Sequence, residues 1–384
     1  MSLPAGTRIL YQGLLRSPAS WARVARGYLG AFARLGVEAR AISPRGFLHD
    51  PLFPLPPGVE EVPLHEARVG PQADVGLGFL HPPKLDRLLG RLRTNLFVWE
   101  ASVLPAGWGE HLDRGADLVL VPSAFTSAAV IAAGVPPAKV AVVPYGFDEQ
   151  LLELAPPPAE PALHRPFTLL AVLAPHRRKG VAELLGAYRA AFSDQDDVVL
   201  RIKTTYDPAS SRARRGFEIP SWAGAIESAG LSGAGAPRVE LDVRVIADAD
   251  VPSLYAGADI VVQPTWGESF GLSILEGLAA ARPVIATGWS GHMEFFPTGL
   301  DAIPFELRDA GDCLYEVAPG AVVARPDVGA IACRMRWHFE NRNESAALGI
   351  AARGAVAKLT WGRAAEQLLE TLSGRLTWAS DRTA

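Results

Sequence analysis

Two glutamates, Glu268 and Glu276, stand eight positions apart in the stretch QPTWGESFGLSILEGLAAARPVIATGWSGHMEFF, residues 263–296. A carboxylate accepts hydrogen bonds, so hydroxyl groups are its natural partners, and it repels phosphate. Between the two lie Ser269, Phe270, Gly271 and Leu272, which lead into an apolar helical pattern. The first amides of a helix are unpaired and its dipole attracts anions, phosphates above all. Gly271 lets the backbone come close to a ligand. A second source of positive charge is His176-Arg177-Arg178-Lys179-Gly180, placed between a strand end and a helix start. A ligand with a diphosphate in its middle and hydroxyls at both ends matches all three features, and that describes a nucleotide sugar.

These groups need a scaffold that presents loops at strand ends. Residues 259–263 (DIVVQ) and 283–286 (PVIA) read as buried strands, with a helix at about 272–280 between them and a turn at 287–291 after them. Residues 167–174, followed by a helix at 181–192, and the strand 198–203 give the same alternation, with Lys203 at a strand tip. Upstream, strands are expected at 8–12, 37–42, 74–80, 95–100, 118–121 and 140–144. A helix at 21–35 ends before Gly36, and Ser123 caps a helix that opens after 121. Such alternation builds doubly wound parallel sheets. A Pro-rich stretch at 151–165 divides the chain. The expected fold class is α/β, with two Rossmann-like, doubly wound domains, which the family resemblance described below implies face each other across a cleft. The domains are 1–155 and 165–360, and 361–384 is a final helix. Residues 44–72 and 204–237 read as irregular, the latter with a helix around 222–228. Helices are expected at 328–341 and 343–359, Thr360 caps the last helix, and 321–324 forms an edge strand.

The stretch 263–296 resembles the signature of retaining family-4 glycosyltransferases of the GT-B fold: Glu, seven residues, Glu, with a Phe-Gly-Leu step inside and a Pro-Val-Ile-Ala strand after it. The resemblance implies that Glu268 contacts the transferred sugar and Glu276 the nucleotide ribose. It also implies that residues 143–148 (VPYGFD) end the N-terminal sheet, with Tyr145 where the family usually has Asn, and that the last helix crosses back onto the N-terminal domain. Lys179-Gly180 matches the second half of the family's Arg–Lys diphosphate pair. The Arg position falls on Leu173 or Ala174, which leaves Arg177 or Arg178 as the substitute. At the tip of 95–100, where many members carry a histidine, this chain has Trp99-Glu100, followed by Leu104, Pro105 and Trp108 as in one subgroup.

The expected reaction is a retaining, metal-independent transfer of a hexosyl unit from a nucleoside-diphosphate sugar to an acceptor hydroxyl. Glu268, Lys179 and Glu100 are the expected catalytic groups. Glu276, Ser269, Phe270, Gly271, Leu272, Arg178 and Lys203 are expected on the donor. Gly13, Arg16, His81 and Trp99 are expected toward the acceptor or the cleft; His81 qualifies because ligands gather at the carboxyl ends of strands in open sheets. Fixed donors on the leaving diphosphate supply about 3–4 kcal/mol each by analogy with oxyanion donors. The rival readings are an epimerase or phosphorylase on this fold, and a non-catalytic protein that binds sugar nucleotides.

Composition narrows the partners. The 384 residues exceed one ordinary core, and 49% are hydrophobic. A formal net charge of −4 gives no pull toward nucleic acid. No G-x-G-x-x-G follows the first strand, so no dinucleotide cofactor is expected. Asp248-Ala-Asp250 has the letters of a metal motif, but Asp250 reads as an N-cap. Cys313 and Cys333 follow no metal spacing and suit free thiols in a reducing compartment. No stretch is long and apolar enough to span a membrane, which gives a soluble cytoplasmic expectation with peripheral membrane contact left open. The donor base, the donor sugar and the acceptor are not readable from these residues.

Overall fold

The structure, a computed structural model, describes residues 6–43, 50–69, 72–156, 165–210, 218–314 and 316–380. Parts of the expected irregular stretches and of the Pro-rich linker lie outside these residues. The described chain forms two compact units, each with its own parallel sheet. One comprises 1–99, 103–148 and 358–384; the other comprises 100–102 and 149–357.

In the first unit the elements are β1 (Ile9–Gln12), α1 (Ser20–Arg34), β2 (Ala39–Ile42), β3 (Glu60–Glu61), α2 (Leu64–Val69), β4 (Val75–Gly78), β5 (Leu92–Leu96), α3 (Trp108–Gly115), β6 (Leu118–Val121), α4 (Ala124–Ala132) and β7 (Val140–Val142). The strands lie parallel in the order β3-β2-β1-β4-β5-β6-β7. All four residues of β1, β4 and β6 are buried, so these strands are covered on both faces and read as continuous apolar runs. α1 stops as its sequence predicts. Gly36 takes a left-handed φ of 71°, Gly36 N–H donates to Ala33, and Val37 N–H donates to Phe32, which is a Schellman closure. Ser123 caps α4 through the Thr126 amide at 3.2 Å.

The second unit contains β8 (Phe167–Val172), α5 (Val181–Ala191), β9 (Val198–Lys203), α6 (Trp222–Ser228), β10 (Arg238–Asp242), α7 (Val251–Ala256), β11 (Ile260–Gln263), α8 (Leu272–Ala279), β12 (Val284–Thr287), β13 (Asp301–Ile303), β14 (Phe305–Asp309), β15 (Val322–Pro326), α9 (Val328–Glu340) and α10 (Arg342–Val356). Six strands run parallel in the order β10-β9-β8-β11-β12-β13, over a core that includes Leu169, Ile202, Trp222, Ile260, Val262 and Met335. The expected edge strand is half of an antiparallel hairpin, β14 with β15. Buried His338 joins α9 to β13 through Asp301 at 2.5 Å and to α10 through Ser345 at 2.8 Å.

α11 (Trp361–Ser380) belongs to the first unit. Phe147 N–H donates to the Leu359 carbonyl and Trp361 N–H donates to the Phe147 carbonyl, and the Trp361 ring lies 5.5 Å from Tyr28 on α1. A side chain on Gly27 would collide with that indole.

The expected cap at Asp250 is corrected. Asp250 makes no side-chain cap bond, because residues 248–250 already form a 3-10 turn that gives it helical backbone angles. A capping aspartate needs an extended backbone. Among the described residues no helix is long and apolar enough to cross a membrane.

Candidate active site

β11 ends at Gln263, and the chain turns through Trp266 and Gly267 to reach Glu268. Gly271 enters α8 with φ +89°, a left-handed conformation that suits glycine. A Cβ there would also lie 3.1 Å from His292 Cβ and 3.2 Å from Ile274 Cδ1. The first turn of α8 therefore begins abruptly after Gly271, with its leading amides at Leu272 and Ser273. Ser269 and Phe270 are buried, and Phe270 packs on Phe295 at 5.0 Å; Leu272 is half-buried.

The basic turn after β8 is knitted to this loop. Trp266 N–H donates to the Arg178 carbonyl at 2.7 Å. Gly180 has φ +69°, and a side chain there would strike the Pro264 carbonyl. The two loops thus approach more closely than any other residue at 180 would allow. Lys179 Nζ lies 2.5 Å from Glu268 Oε1. Arg178 reaches Glu100 at 3.1 Å, Glu268 at 3.6 Å and the Gly267 carbonyl at 2.5 Å. Arg177 is exposed, so Arg178 is the arginine turned into the cluster. Two cations and two carboxylates share one mostly buried site, with side-chain exposures between 12 and 22%.

Burial by itself would raise the Glu268 carboxyl, but Lys179 and Arg178 outweigh it and bring the value down to about 2. Burial, with Arg178 nearby, pulls Lys179 below the ordinary lysine range despite Glu268. For Arg178, burial opposes the charge, while Glu100 and Glu268 overcome it and raise the value. Opposite charges thus hold Glu268 and Arg178 in their charged forms against burial.

Glu276 lies four residues into α8 and is 2% exposed. The Tyr255 hydroxyl donates to its Oε2 at 2.8 Å. The turn after β12 stands beside Glu268. Ser290 Oγ accepts the Glu268 N–H at 2.9 Å, and Gly291 N–H donates to the Glu268 carbonyl at 2.9 Å. His292 is fully buried and its Nε2 bonds the Thr287 carbonyl at 2.7 Å, so Nε2 carries the proton and Nδ1 is an acceptor. Tyr255, Ser290 and His292 were not singled out as site residues from sequence; the signal for the last two was the turn that follows the second strand of the central stretch.

The other expected residues are placed elsewhere. Lys203 is buried at the tip of β9, 3.4 Å from Asp242 and bonded to the Arg244 carbonyl, so it closes the β9–β10 corner. In the first unit, Gly13 sits where a Cβ would strike the Tyr11 hydroxyl, and Arg16 pairs with Glu61 at 3.1 Å. The His81 ring lies 4.3 Å from Trp108, and Trp99 donates to the Val103 carbonyl at 2.7 Å while packing on Trp108 at 5.1 Å.

Residues 167–318 match the family of glycosyl transferases group 1. An 89-residue part of the chain, 22% of it, is 35% identical to D-inositol 3-phosphate glycosyltransferase of Paenarthrobacter aurescens and spans 21% of that protein. A 74-residue part is 38% identical to the protein of the same name from Geodermatophilus obscurus and spans 16% of it. The chain thus spans only about a fifth of the length of the curated relatives it matches. In fold, HepE of Anabaena, solved with UDP and glucose, superimposes over 96% of this chain and 100% of its own, with a TM-score of 0.68 and 18% identity. Sucrose-phosphate synthase of Thermosynechococcus elongatus does so over 97% and 100%, with a TM-score of 0.70 and 18% identity. The site around Glu268 thus lies within residues 167–318, the part of the chain that matches the family of glycosyl transferases group 1, on a chain with the two-sheet fold of GT-B glycosyltransferases.

Proposed function

We propose that this protein is a retaining glycosyltransferase that moves a hexosyl unit from a nucleoside-diphosphate sugar to an acceptor hydroxyl without a metal ion. The observation that carries the reading is the Lys179–Glu268–Arg178 cluster at the amide end of α8. The diphosphate meets two cations and the first-turn amides. Lys179 and Arg178 turn from Glu268 toward the phosphate oxygens, and the carboxylate is released to accept a sugar hydroxyl. Glu276, braced by Tyr255, accepts the ribose hydroxyls. As the glycosidic bond to the diphosphate breaks, charge grows on the leaving oxygen beside Lys179, where a fixed cation is worth most. The acceptor attacks from the same face, and the departing phosphate takes its proton. Glu100 fixes the Arg178 guanidinium. HepE, of similar fold, was solved with UDP-glucose, which supports a nucleotide-sugar donor here. The sites in the first unit serve the acceptor, and the protein works in the cytoplasm.

A thermal-shift screen with UDP, GDP, ADP and their glucose or mannose conjugates tests the reading. A donor at 100 times its dissociation constant adds about 2.7 kcal/mol of stability. No shift with any of them discards the proposal.

A further inference from the structure

Ser290 adopts φ 83° and ψ −167°. This region is populated almost solely by glycine, because a Cβ crowds the neighbouring carbonyl. Only one other described non-glycine residue, Ala281, has a positive φ. Glycine would relieve the strain, and what serine adds is one hydroxyl. That hydroxyl accepts the Glu268 N–H at 2.9 Å, and the next residue, Gly291, donates to the Glu268 carbonyl at 2.9 Å. Both polar groups of the Glu268 backbone are therefore held by two successive residues of the turn after β12. The turn is closed by Trp289 N–H and His292 Nε2, which both bond the Thr287 carbonyl. Ser290 is 7% exposed, so this geometry is packed in place rather than solvated.

We infer that Ser290 is a positioning residue: its hydroxyl holds the backbone of Glu268 so that the carboxylate faces the transferred sugar. The inference rests on the proposed role of Glu268 at that sugar. Strain at a residue that touches the reactive loop is a recognised mark of function, and here the strained residue supplies the very atom that fixes the loop. The effect is on the sugar end of the donor, because the nucleotide is held by Glu276 and the phosphates by Lys179 and the α8 amides.

Ser290→Gly and Ser290→Ala separate the hydroxyl from the strain. Both lose the acceptor, and only alanine keeps the Cβ. The test measures amide hydrogen exchange over 265–270, melting temperature, and affinity for three pairs: UDP and UDP-glucose, GDP and GDP-mannose, ADP and ADP-glucose. In both variants the loop is expected to exchange faster. The affinity of the sugar conjugate relative to its bare diphosphate is expected to fall about tenfold, the worth of one well-placed hydrogen bond. Ser290→Gly is expected to melt no lower than the wild type, because relief of the strain offsets the lost hydrogen bond, so a fall in its affinity ratio is not a loss of overall stability. An unchanged affinity ratio in either variant overturns the positioning role while leaving the glycosyltransferase reading intact. Failure of the wild type to bind any of the pairs overturns that reading, and the inference with it.

Discussion

Arg178 and Glu100 form a 3.1 Å ion pair at the point where a three-residue excursion, 100–102, enters the second unit. The same guanidinium also reaches Glu268 and the Gly267 carbonyl, so one side chain compensates two carboxylates and one buried acceptor. Arg178→Ala leaves those carboxylates without that counter-charge. It is expected to cost about 3 kcal/mol, read as a fall of roughly 6–12 °C in melting temperature. Arg178→Ala with Glu100→Ala is expected to recover part of that loss, because the uncompensated charge goes too. Full additivity of the two single changes in a double-mutant cycle would show that the pair is not coupled.

Lys179 faces the same glutamate from the other side. On the proposed reading, its replacement by alanine removes the cation nearest the leaving diphosphate. Donor cleavage is expected to drop about 100-fold or more, comparable to deleting one oxyanion donor. Initial rates of UDP release from the donor identified by the thermal screen provide the check.

Tyr255 offers a milder perturbation. Tyr255→Phe removes the hydroxyl that braces Glu276 but keeps the ring, which is fully buried. Nucleotide affinity is expected to weaken about three- to tenfold, the range of one neutral hydrogen bond. Turnover at saturating donor is expected to stay within twofold, since the proposed reading puts the reacting sugar at Glu268. Calorimetric titration with the bare diphosphate separates these effects.

Acid should destabilise the protein in two steps. Burial depresses His292 below its ordinary value of 6.5. The unfolded chain therefore takes up this proton first, and the folded state loses stability as pH falls below 6.5, until the lowered folded value is reached. Glu268 acts in a lower window. Its folded value near 2 lies beneath the ordinary 4.5, so its contribution is complete above 4.5 and disappears as pH falls toward 2. His292→Gln, which keeps a donor for the Thr287 carbonyl, is expected to flatten the stability curve just below pH 6.5 and to alter the lower window only slightly, because Lys179 and Arg178 lower Glu268 more than His292 does. Denaturant melts at half-unit pH steps measure both.

The cysteines give a simpler test. Cys333 is exposed, whereas Cys313 is buried and its thiol is pushed up to about 12, mainly by burial. One thiol per chain is expected to react with a disulfide reagent at pH 8 in the native protein, and two after unfolding. Two fast-reacting thiols in the native state would contradict the packing around Cys313.

Much of this was readable because parallel strands are buried on both faces and leave continuous apolar runs, as at 167–172 and 260–263. α9 and α10 fell within a few residues of their expected bounds for the related reason that helical periodicity is long-ranged. The β14–β15 hairpin was half missed because Phe305 and Leu307 lie exposed rather than in a core, so their alternation carried no burial signal. Nor could the sequence decide between Arg177 and Arg178. They sit in a three-residue 3-10 turn, where adjacent side chains diverge by about a third of a turn, and only tertiary packing selects which one turns inward. Lys203 was read from its place at a strand tip, yet its orientation was set by Asp242 on the neighbouring strand, a partner 39 residues away.

The return of α11 bears on how the polypeptide is made. The indole of Trp361 completes the surface around Tyr28 and Tyr145, more than 200 residues after both have been synthesised. The earliest synthesised unit must therefore wait, with an aromatic face uncovered, until translation has passed through the whole of the later one. A released chain that ends at residue 360 should expose that face to chaperones, while its 149–357 portion is already able to close on itself.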